Sequence, residues 1–378
     1  MNSSSFLSGR NIGLDFLRAL LILLGVLLHA ARSLPGENGW YYVSQRSESH
    51  LFNALIALIH TFRMEVFFFL SGMFSALIIL KKGRKFFLEN RKGRVLIPLI
   101  SAYVFIPPLM YLISSEIHQR AMTTAGVTGS YTMLHHLWFL VSLSVISFLI
   151  PGSFYTQVAA LFRRMPLPLL VVTLILLTDA CFAVKYFVKG RGEFMELIPV
   201  TARFMIYYAA GYALYANKDK ISTYTRSLLL KSWLITALAL LTLLGFYTVF
   251  HLNINGIMKY IPVLIGSVFS VLFSYWIVFK FEQIKIKESP VLRSIVNSAL
   301  VVYILHYPLV ITFAWLTDAW LPANLSVTYV MIVTLLGLAF SAALYAVIKQ
   351  SELLSIMFGL KLSAAKVIPP LNTPDLKI

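Results

Sequence analysis

The chain has 378 residues, of which 59% are hydrophobic and 12% are charged. An ordinary soluble domain carries about a quarter charged residues, so this composition excludes one and indicates a membrane protein. The formal net charge of +17 comes from Lys and Arg in short loops between apolar runs, which is typical of membrane topology rather than of nucleic-acid binding.

The apolar runs predict an all-α, polytopic membrane bundle of about ten transmembrane helices. The runs are about 20 residues long and do not alternate, which favours helices over a β-barrel. We expect a single transmembrane domain over 1–378, with a short cytoplasmic tail at 350–378. The predicted spans, in chain order, are 14–31, 51–80, 95–114, 134–151, 166–184, 196–216, 232–250, 260–279, 298–317 and 326–348.

The first two spans need separate arguments. Residues 14–31 resemble a signal peptide, but Asp15 and Arg18 interrupt the apolar run, so we interpret it as a transmembrane helix. A helix over 51–80 would be about 45 Å long, against a hydrocarbon core of about 30 Å. We expect it to protrude from the membrane or to bend around 60-HTFRME-65.

The basic residues predict the orientation. Of the 32 Lys and Arg, 22 fall on the side that holds the N-terminus and the loop at 81–94, seven fall on the opposite side and three lie within spans. The positive-inside rule then places both termini in the cytoplasm.

The first helix carries three ionisable side chains, which are costly within a membrane span. Arg18 and His29 are 11 positions apart, which places them on one helix face and about 16 Å apart along the axis. Asp15 lies near the same face. Alternatives without a catalytic role are a snorkelling Arg18 paired with Asp15, and a hydrogen-bonded packing histidine.

The stretch HTFRMEVFFFLSG, residues 60–72, holds His60, Arg63 and Glu65. Residues at i and i+2 of a helix do not face each other, so we expect the partners of Arg63 and Glu65 on other helices or on a substrate. Ser71 and Gly72 predict close helix packing.

Further candidates follow along the chain. Arg91 and Arg94 in 91-RKGR-94 stand at a predicted cytoplasmic helix start and share a face, which suits a polyphosphate, although a basic cytoplasmic loop is the simpler explanation of this stretch taken alone. The others are His136 and Trp138 in 135-HHLWFL-140, Arg203, and His306 in 303-YILHYP-308, where Pro308 predicts a kink. Trp40, Tyr41 and Tyr42 predict either an interfacial aromatic belt or a platform for sugar rings.

These motifs together resemble a known family. LDFLRA leading to His29, HTFRMEVFFFLSG, RKGR, HHLWFL and VNSALVVYILHYP occur in order between residues 14 and 308. They are similar to the membrane-bound acyltransferase family 3, and within it to the glucan biosynthesis protein C group. The resemblance implies a multi-pass enzyme of the bacterial inner membrane. Such an enzyme moves an acyl group, with succinyl favoured and acetyl possible, from cytoplasmic acyl-CoA to a glucan or polysaccharide hydroxyl in the periplasm.

The resemblance also implies roles for the candidate residues. His29, Arg18 and Asp15 become catalytic, with His29 as a general base or as the carrier of a transient acyl group. Arg18, Arg91 and Arg94 become ligands of acyl-CoA. Residues expected at the acyl group, the oxyanion or the acceptor are Arg63, Glu65, His136, Trp138, Arg203 and His306.

Acyl-CoA is then a co-substrate, and we expect no permanently bound cofactor or metal. Expected partners are membrane lipid, the glycan acceptor and other glucan-synthesis proteins, without nucleic acid. The alternative function is a proton-coupled secondary transporter of a small anionic or sugar substrate, because such proteins also bury ionisable residues.

Overall fold

The computed structural model describes residues 11–36, 41–218, 232–284 and 286–360. The helices follow from long apolar stretches, several of which start at an Asn, Ser or Thr cap such as Asn11, Ser49 or Ser289. They are α1 (Ile12–Ala31), α2 (His50–Arg91), α3 (Ile97–Ile117), α4 (Thr124–Ser130), α5 (Trp138–Phe148), α6 (Gly152–Arg164), α7 (Leu167–Val188), α8 (Glu193–Ala216), α9 (Ser232–His251), α10 (Ile261–Gln283), α11 (Pro290–Asp318), α12 (Ser326–Ile348) and α13 (Glu352–Met357).

The predicted all-α membrane bundle is confirmed. Among the described residues, nine helical stretches are long and apolar enough to cross a membrane. The longest, His50–Ile117, contains both the second and the third predicted span. Large apolar side chains such as Leu176, Leu240 and Leu335 are exposed on the outside of the bundle, where lipid would cover them.

The stretch His50–Ile117 folds back on itself. Gly83 has φ 80° and ψ 165°, outside the helical region, and Lys92–Leu96 forms a wide π-helical turn before α3. Arg91 consequently lies within 2.8 Å of the Ser75 hydroxyl, although 16 residues of straight helix would span about 24 Å. The bend is therefore at Gly83, and 60-HTFRME-65 lies within regular helix.

Helix α11 is the most buried of the candidate spans. Two thirds of its apolar window, 67%, is buried inside the bundle, compared with 11% for α9. It packs against α1 and α12, while α2 packs against α8, α9 and α10. Helix α11 continues through Pro308 to Asp318 as one element.

The bundle has two ends, which we name the Arg91 end and the Asp318 end. At the Arg91 end, Asn11 donates to the carbonyl of Glu282 and Arg84 donates to that of Ile150. At the other end, Tyr42 donates to Asp318. The predicted tail begins with the short helix α13, and residues 361–378 lie outside the described residues.

Helices α2 and α8 approach closely through a reciprocal pair of glycines. A Cβ added at Gly72 would overlap the carbonyl oxygen of Tyr208, and one added at Gly211 would overlap that of Phe69. The expectation that Gly72 permits close packing is confirmed. This contact also sets the spacing between the charged side chains of α2 and α8.

We predict that Gly211→Ala lowers the thermal stability of the purified protein. The new methyl group forces the two backbones apart, and overpacking of this kind costs about 1–3 kcal/mol. Gly129→Ala is the matched control, because no heavy atom lies within 4 Å of its added Cβ. Thermal unfolding in detergent should show a lower midpoint for Gly211→Ala alone, and equal midpoints would contradict the packing argument.

Candidate functional site

Helix α1 presents Arg18 and His29 at different depths of the bundle. Arg18 lies near the Arg91 end with its side chain 34% exposed and 3.8 Å from Asp15, so the local ion pair considered above is present. His29 is buried, with 9% of its surface exposed. Their separation of 11 residues corresponds to about 16 Å along the helix.

The three arginines expected to bind the donor gather around the Arg91 end. Arg91 donates to the Ser75 hydroxyl at 2.8 Å and lies over the ring of Phe87. The charges of Arg91 and Asp15 both act on Arg94, so Arg94 lies within electrostatic reach of both. Arg91 and Arg94 do not begin one α-helix as predicted, because Arg91 ends α2 and Arg94 lies in the π-helical turn.

Near the other end, three chain segments bring aromatic rings together. His29 of α1 has its ring centroid 5.2 Å from that of His306 and 5.1 Å from that of Tyr307. His136 stacks on Tyr307 at 4.7 Å and lies 5.4 Å from His306. We call these four residues with Tyr303 the histidine cluster.

Pro308 explains how His136 is held. Proline has no backbone N–H, so the carbonyl of Ile304, four residues earlier in α11, loses its helical hydrogen bond. His136 donates from Nε2 into this carbonyl at 2.9 Å. The hydroxyl of Tyr303 in turn donates to the backbone carbonyl of His136. The short turn 135–137 is thereby fixed against α11.

The histidines of α11 and of the 135–137 turn each have one committed nitrogen. His306 donates from Nδ1 to the carbonyls of Tyr303 at 2.7 Å and Val302 at 3.0 Å. Because a carbonyl only accepts, the N–H of His306 must be on Nδ1 and that of His136 on Nε2. Nε2 of His306 and Nδ1 of His136 are buried and have no hydrogen-bond partner within the described chain.

Arg63 lies against α1 next to His29. A Cβ added at Gly25 would overlap Nη1 of Arg63, so the absent side chain of Gly25 makes room for the guanidinium. Helical side chains lean toward the N-terminus, so the His29 ring covers the turn that contains Gly25. Arg63 is 7% exposed, and it has no ion-pair or hydrogen-bond partner among the described residues.

Glu65 faces the opposite way and pairs with Arg203 of α8 at 3.2 Å. The expectation that the partner of Glu65 lies on another helix is therefore confirmed. Arg203 also lies between the rings of Phe182 and Phe204, and Trp138 stacks on Phe204. Trp138 is thus part of the packing around the ion pair, apart from the histidine cluster.

Positive charge dominates the surroundings of His60. The charges of Arg63, Arg32, Arg203 and Lys185 all act on the ring of His60. Two acids act on these four cations, since Glu65 pairs with Arg203 and the charge of Glu196 acts on Lys185. The local field therefore favours an anionic group. In the part of the chain that the structure describes, no group of three or more His, Cys, Asp or Glu side chains has an arrangement that could hold a metal ion.

The segment 41–49 crosses the Asp318 end above the histidine cluster. Asp318 accepts from Tyr42 at 2.6 Å and pairs with Arg46 at 3.1 Å. Tyr41 bonds to Nδ1 of His135 at 2.6 Å. Burial, with a smaller contribution from Glu193, raises the pKa of Tyr41 to about 12, so its hydroxyl stays protonated at neutral pH. Trp40 lies outside the described residues.

Sequence reasoning missed Gly25, Tyr303 and Tyr307. Glycine within an apolar helix looks like ordinary packing, and only the position of Arg63 gives Gly25 its role. The tyrosines stand within the quoted stretch YILHYP, three residues before and one residue after His306. Their spacing to each other, four residues on one helix, was the signal that both face the same neighbours.

Comparisons with known proteins show the family of the chain. A family model described as an acyltransferase domain matches residues 11–346. The chain is 30% identical over 145 residues to glucans biosynthesis protein C of Escherichia coli K12 and to that of Escherichia coli O1:K1 / APEC. The match covers 36% of this chain and 37% of the length of each relative. No solved structure matched the chain.

Proposed function

Because this chain belongs to the membrane-bound acyltransferase family 3, we propose that it moves an acyl group from acyl-CoA, across the bundle, to a carbohydrate hydroxyl. The donor binds at the Arg91 end and the acceptor at the Asp318 end. The observation that carries the proposal is the depth difference along α1, with Arg18 accessible at one end and His29 buried about 16 Å away.

The donor fits the Arg91 end by charge. Coenzyme A carries a phosphate-rich nucleotide on a long, thin arm, and guanidinium groups match phosphate oxygens. Arg18, Arg91 and Arg94 would hold the nucleotide while the arm follows α1 toward His29. The histidine cluster is closed in this structure, so its rings must separate when the thioester enters.

His29 acts as the general base. A sugar hydroxyl is a poor nucleophile near pH 7, and a positioned imidazole that removes its proton accelerates transfer by typically 10²–10⁴-fold. The hydroxyl oxygen bonds to the thioester carbon, the carbon–sulfur bond breaks, and the proton on His29 passes to the leaving thiolate. A route through an acyl group on His29 uses the same positions.

A succinyl donor suits the charges around the cluster. Arg63 is a buried cation that needs an anion, because an uncompensated buried charge costs several kcal/mol. The free carboxylate of a succinyl group supplies one. We propose a glucan as the acceptor, since the relatives are named for glucan biosynthesis, and the free nitrogens of His306 and His136 would accept from its hydroxyls.

The protein then lies in the bacterial inner membrane with the Arg91 end in the cytoplasm. Two arguments support this orientation. The side that holds the loop at 81–94 carries the excess of Lys and Arg, and acyl-CoA is made in the cytoplasm. Both termini would be cytoplasmic.

We predict that a cysteine at position 47 reacts with an impermeant thiol reagent on intact spheroplasts and that one at position 82 does not. Ser47 and Lys82 are both exposed, at the Asp318 end and the Arg91 end respectively. The background is Cys181→Ser, and permeabilised cells provide the control in which both positions react. Labelling at position 82 but not at position 47 would show that the protein has the opposite orientation.

We predict different defects for the two ends of α1. His29→Ala should reduce transfer by about 10²–10⁴-fold with acyl-CoA binding retained, because only the base is lost. Arg18→Ala should mainly weaken binding, and Arg18→Lys should restore it only in part, because lysine lacks the guanidinium fork. Binding and turnover of succinyl-CoA are measured on purified variants of matched thermal stability. Near-normal turnover by folded His29→Ala would reject His29 as the base.

Arg63→Gln should lower succinyl transfer at least about tenfold more than acetyl transfer. The succinyl group carries a free carboxylate that a buried cation neutralises, whereas the acetyl group carries no charge. Gly25→Ala should act in the same direction by displacing the guanidinium. The control is Gly129→Ala, which changes a glycine in open surroundings. An equal loss with both donors would instead assign Arg63 to the developing oxyanion.

A further inference from the structure

His306 has a hydrogen-bonding pattern that fixes its chemistry. Its Nδ1–H is committed to the carbonyls of Val302 and Tyr303 on its own helix. Nε2 is therefore a lone pair that can only accept a hydrogen bond while the ring is neutral. That atom is buried and unpartnered in the described parts of the chain, and the residue is 2% exposed.

The ring of His306 lies next to that of His29. A centroid separation of 5.2 Å brings two facing ring nitrogens to about 3 Å, which is hydrogen-bond distance. The two rings are tilted by 38°, and in this alignment Nε2 of His306 forms no hydrogen bond within the described chain. Catalytic hydrogen bonds are commonly loose in the resting enzyme and tighten when substrate binds.

A histidine base benefits from a partner at its second nitrogen. The partner selects the tautomer, aims the ring and stabilises the imidazolium that forms, a role that a carboxylate has in many hydrolases. Three acids near the cluster have other partners. Glu65 pairs with Arg203, Asp318 pairs with Arg46, and Glu193 accepts from the backbone N–H of Leu134. A neutral imidazole can accept this hydrogen bond without adding a second full charge to a site that already contains the Arg63 cation.

We propose that His306 is the positioning residue for His29, accepting the second N–H of His29 at Nε2 during the reaction. This inference rests on the proposed function, because it takes His29 as the base. When His29 removes the proton of the acceptor hydroxyl, the positive charge is shared with His306 across the hydrogen bond. The proton leaves His29 for the coenzyme A thiolate, and His306 ends the cycle unchanged.

His136 has a different place in this scheme. It has the same combination of one nitrogen on a backbone carbonyl and one buried free nitrogen. Its ring, however, packs on Tyr307 and His306, and these two residues are the ones whose rings contact His29. His136 therefore buttresses the cluster, whereas His306 contacts the base.

Two substitutions distinguish the roles of the two ring nitrogens of His306. In His306→Asn the short amide keeps an N–H near the carbonyls of Val302 and Tyr303 and removes the acceptor at Nε2. In His306→Gln the longer side chain places an amide oxygen near the position of Nε2 and gives up the backbone bond. A role in helix packing alone predicts that Asn is the better replacement, and the proposed role predicts that Gln is.

The experiment measures transfer from succinyl-CoA to a glucan oligosaccharide by the purified full-length chain. We expect His306→Asn to lower kcat by about tenfold or more, as loss of an orienting partner does, with succinyl-CoA affinity unchanged. We expect His306→Gln to recover several-fold over Asn despite its lower thermal stability. His118→Asn is the matched control, because His118 also bonds the carbonyl four residues earlier and is exposed at the end of α3.

The outcomes separate this inference from the function on which it rests. Unchanged kcat in His306→Asn, an equal loss in both variants, or higher turnover in Asn than in Gln would overturn the role of His306. If His29→Ala abolishes transfer in the same preparation, the base assignment stands in each of those cases. If the unsubstituted protein transfers neither a succinyl nor an acetyl group, the proposed function itself fails.

Discussion

A single missing backbone hydrogen in α11 organises the candidate site. Within a bilayer each backbone carbonyl needs a partner, because no water is present to supply one. Pro308 removes the partner of the Ile304 carbonyl, and His136 provides the replacement. That bond attaches the 135–137 turn to α11, sets the tautomer of His136 and gives Tyr307 a ring to stack on.

Buried charge imposes the second constraint, and the protein meets it differently on the two faces of α2. Glu65 and Arg203 neutralise each other between α2 and α8, at a distance that the reciprocal glycines Gly72 and Gly211 permit. On the opposite face Arg63 occupies the space left by Gly25 and forms no ion pair among the described residues, where the charge of Glu65 reaches it only at longer range. The first arrangement is complete without substrate, whereas the second is suited to receive an anion.

The sequence predicted the fold more fully than the contacts within it. Long apolar runs and the costs of polar groups in lipid are local properties, so the spans and the shared face of Arg18 and His29 were accessible from the residues alone. The break at Gly83 was not, because a glycine in a basic loop does not reveal that the chain turns back there. The pairing of Glu65 with Arg203 was open for the same reason, since residues 138 positions apart meet only through the packing of α2 on α8.

The histidine cluster has a consequence for the biogenesis of the protein. Its rings come from α1, from the turn before α5 and from α11, so the first of them enters the membrane long before the last is synthesised. A nascent chain that ends after α5 contains His29 and His136 but lacks Tyr303, His306 and Tyr307. The cluster can therefore be complete only after α11 has been synthesised, and α11 must still pack against α12, which follows it in the chain.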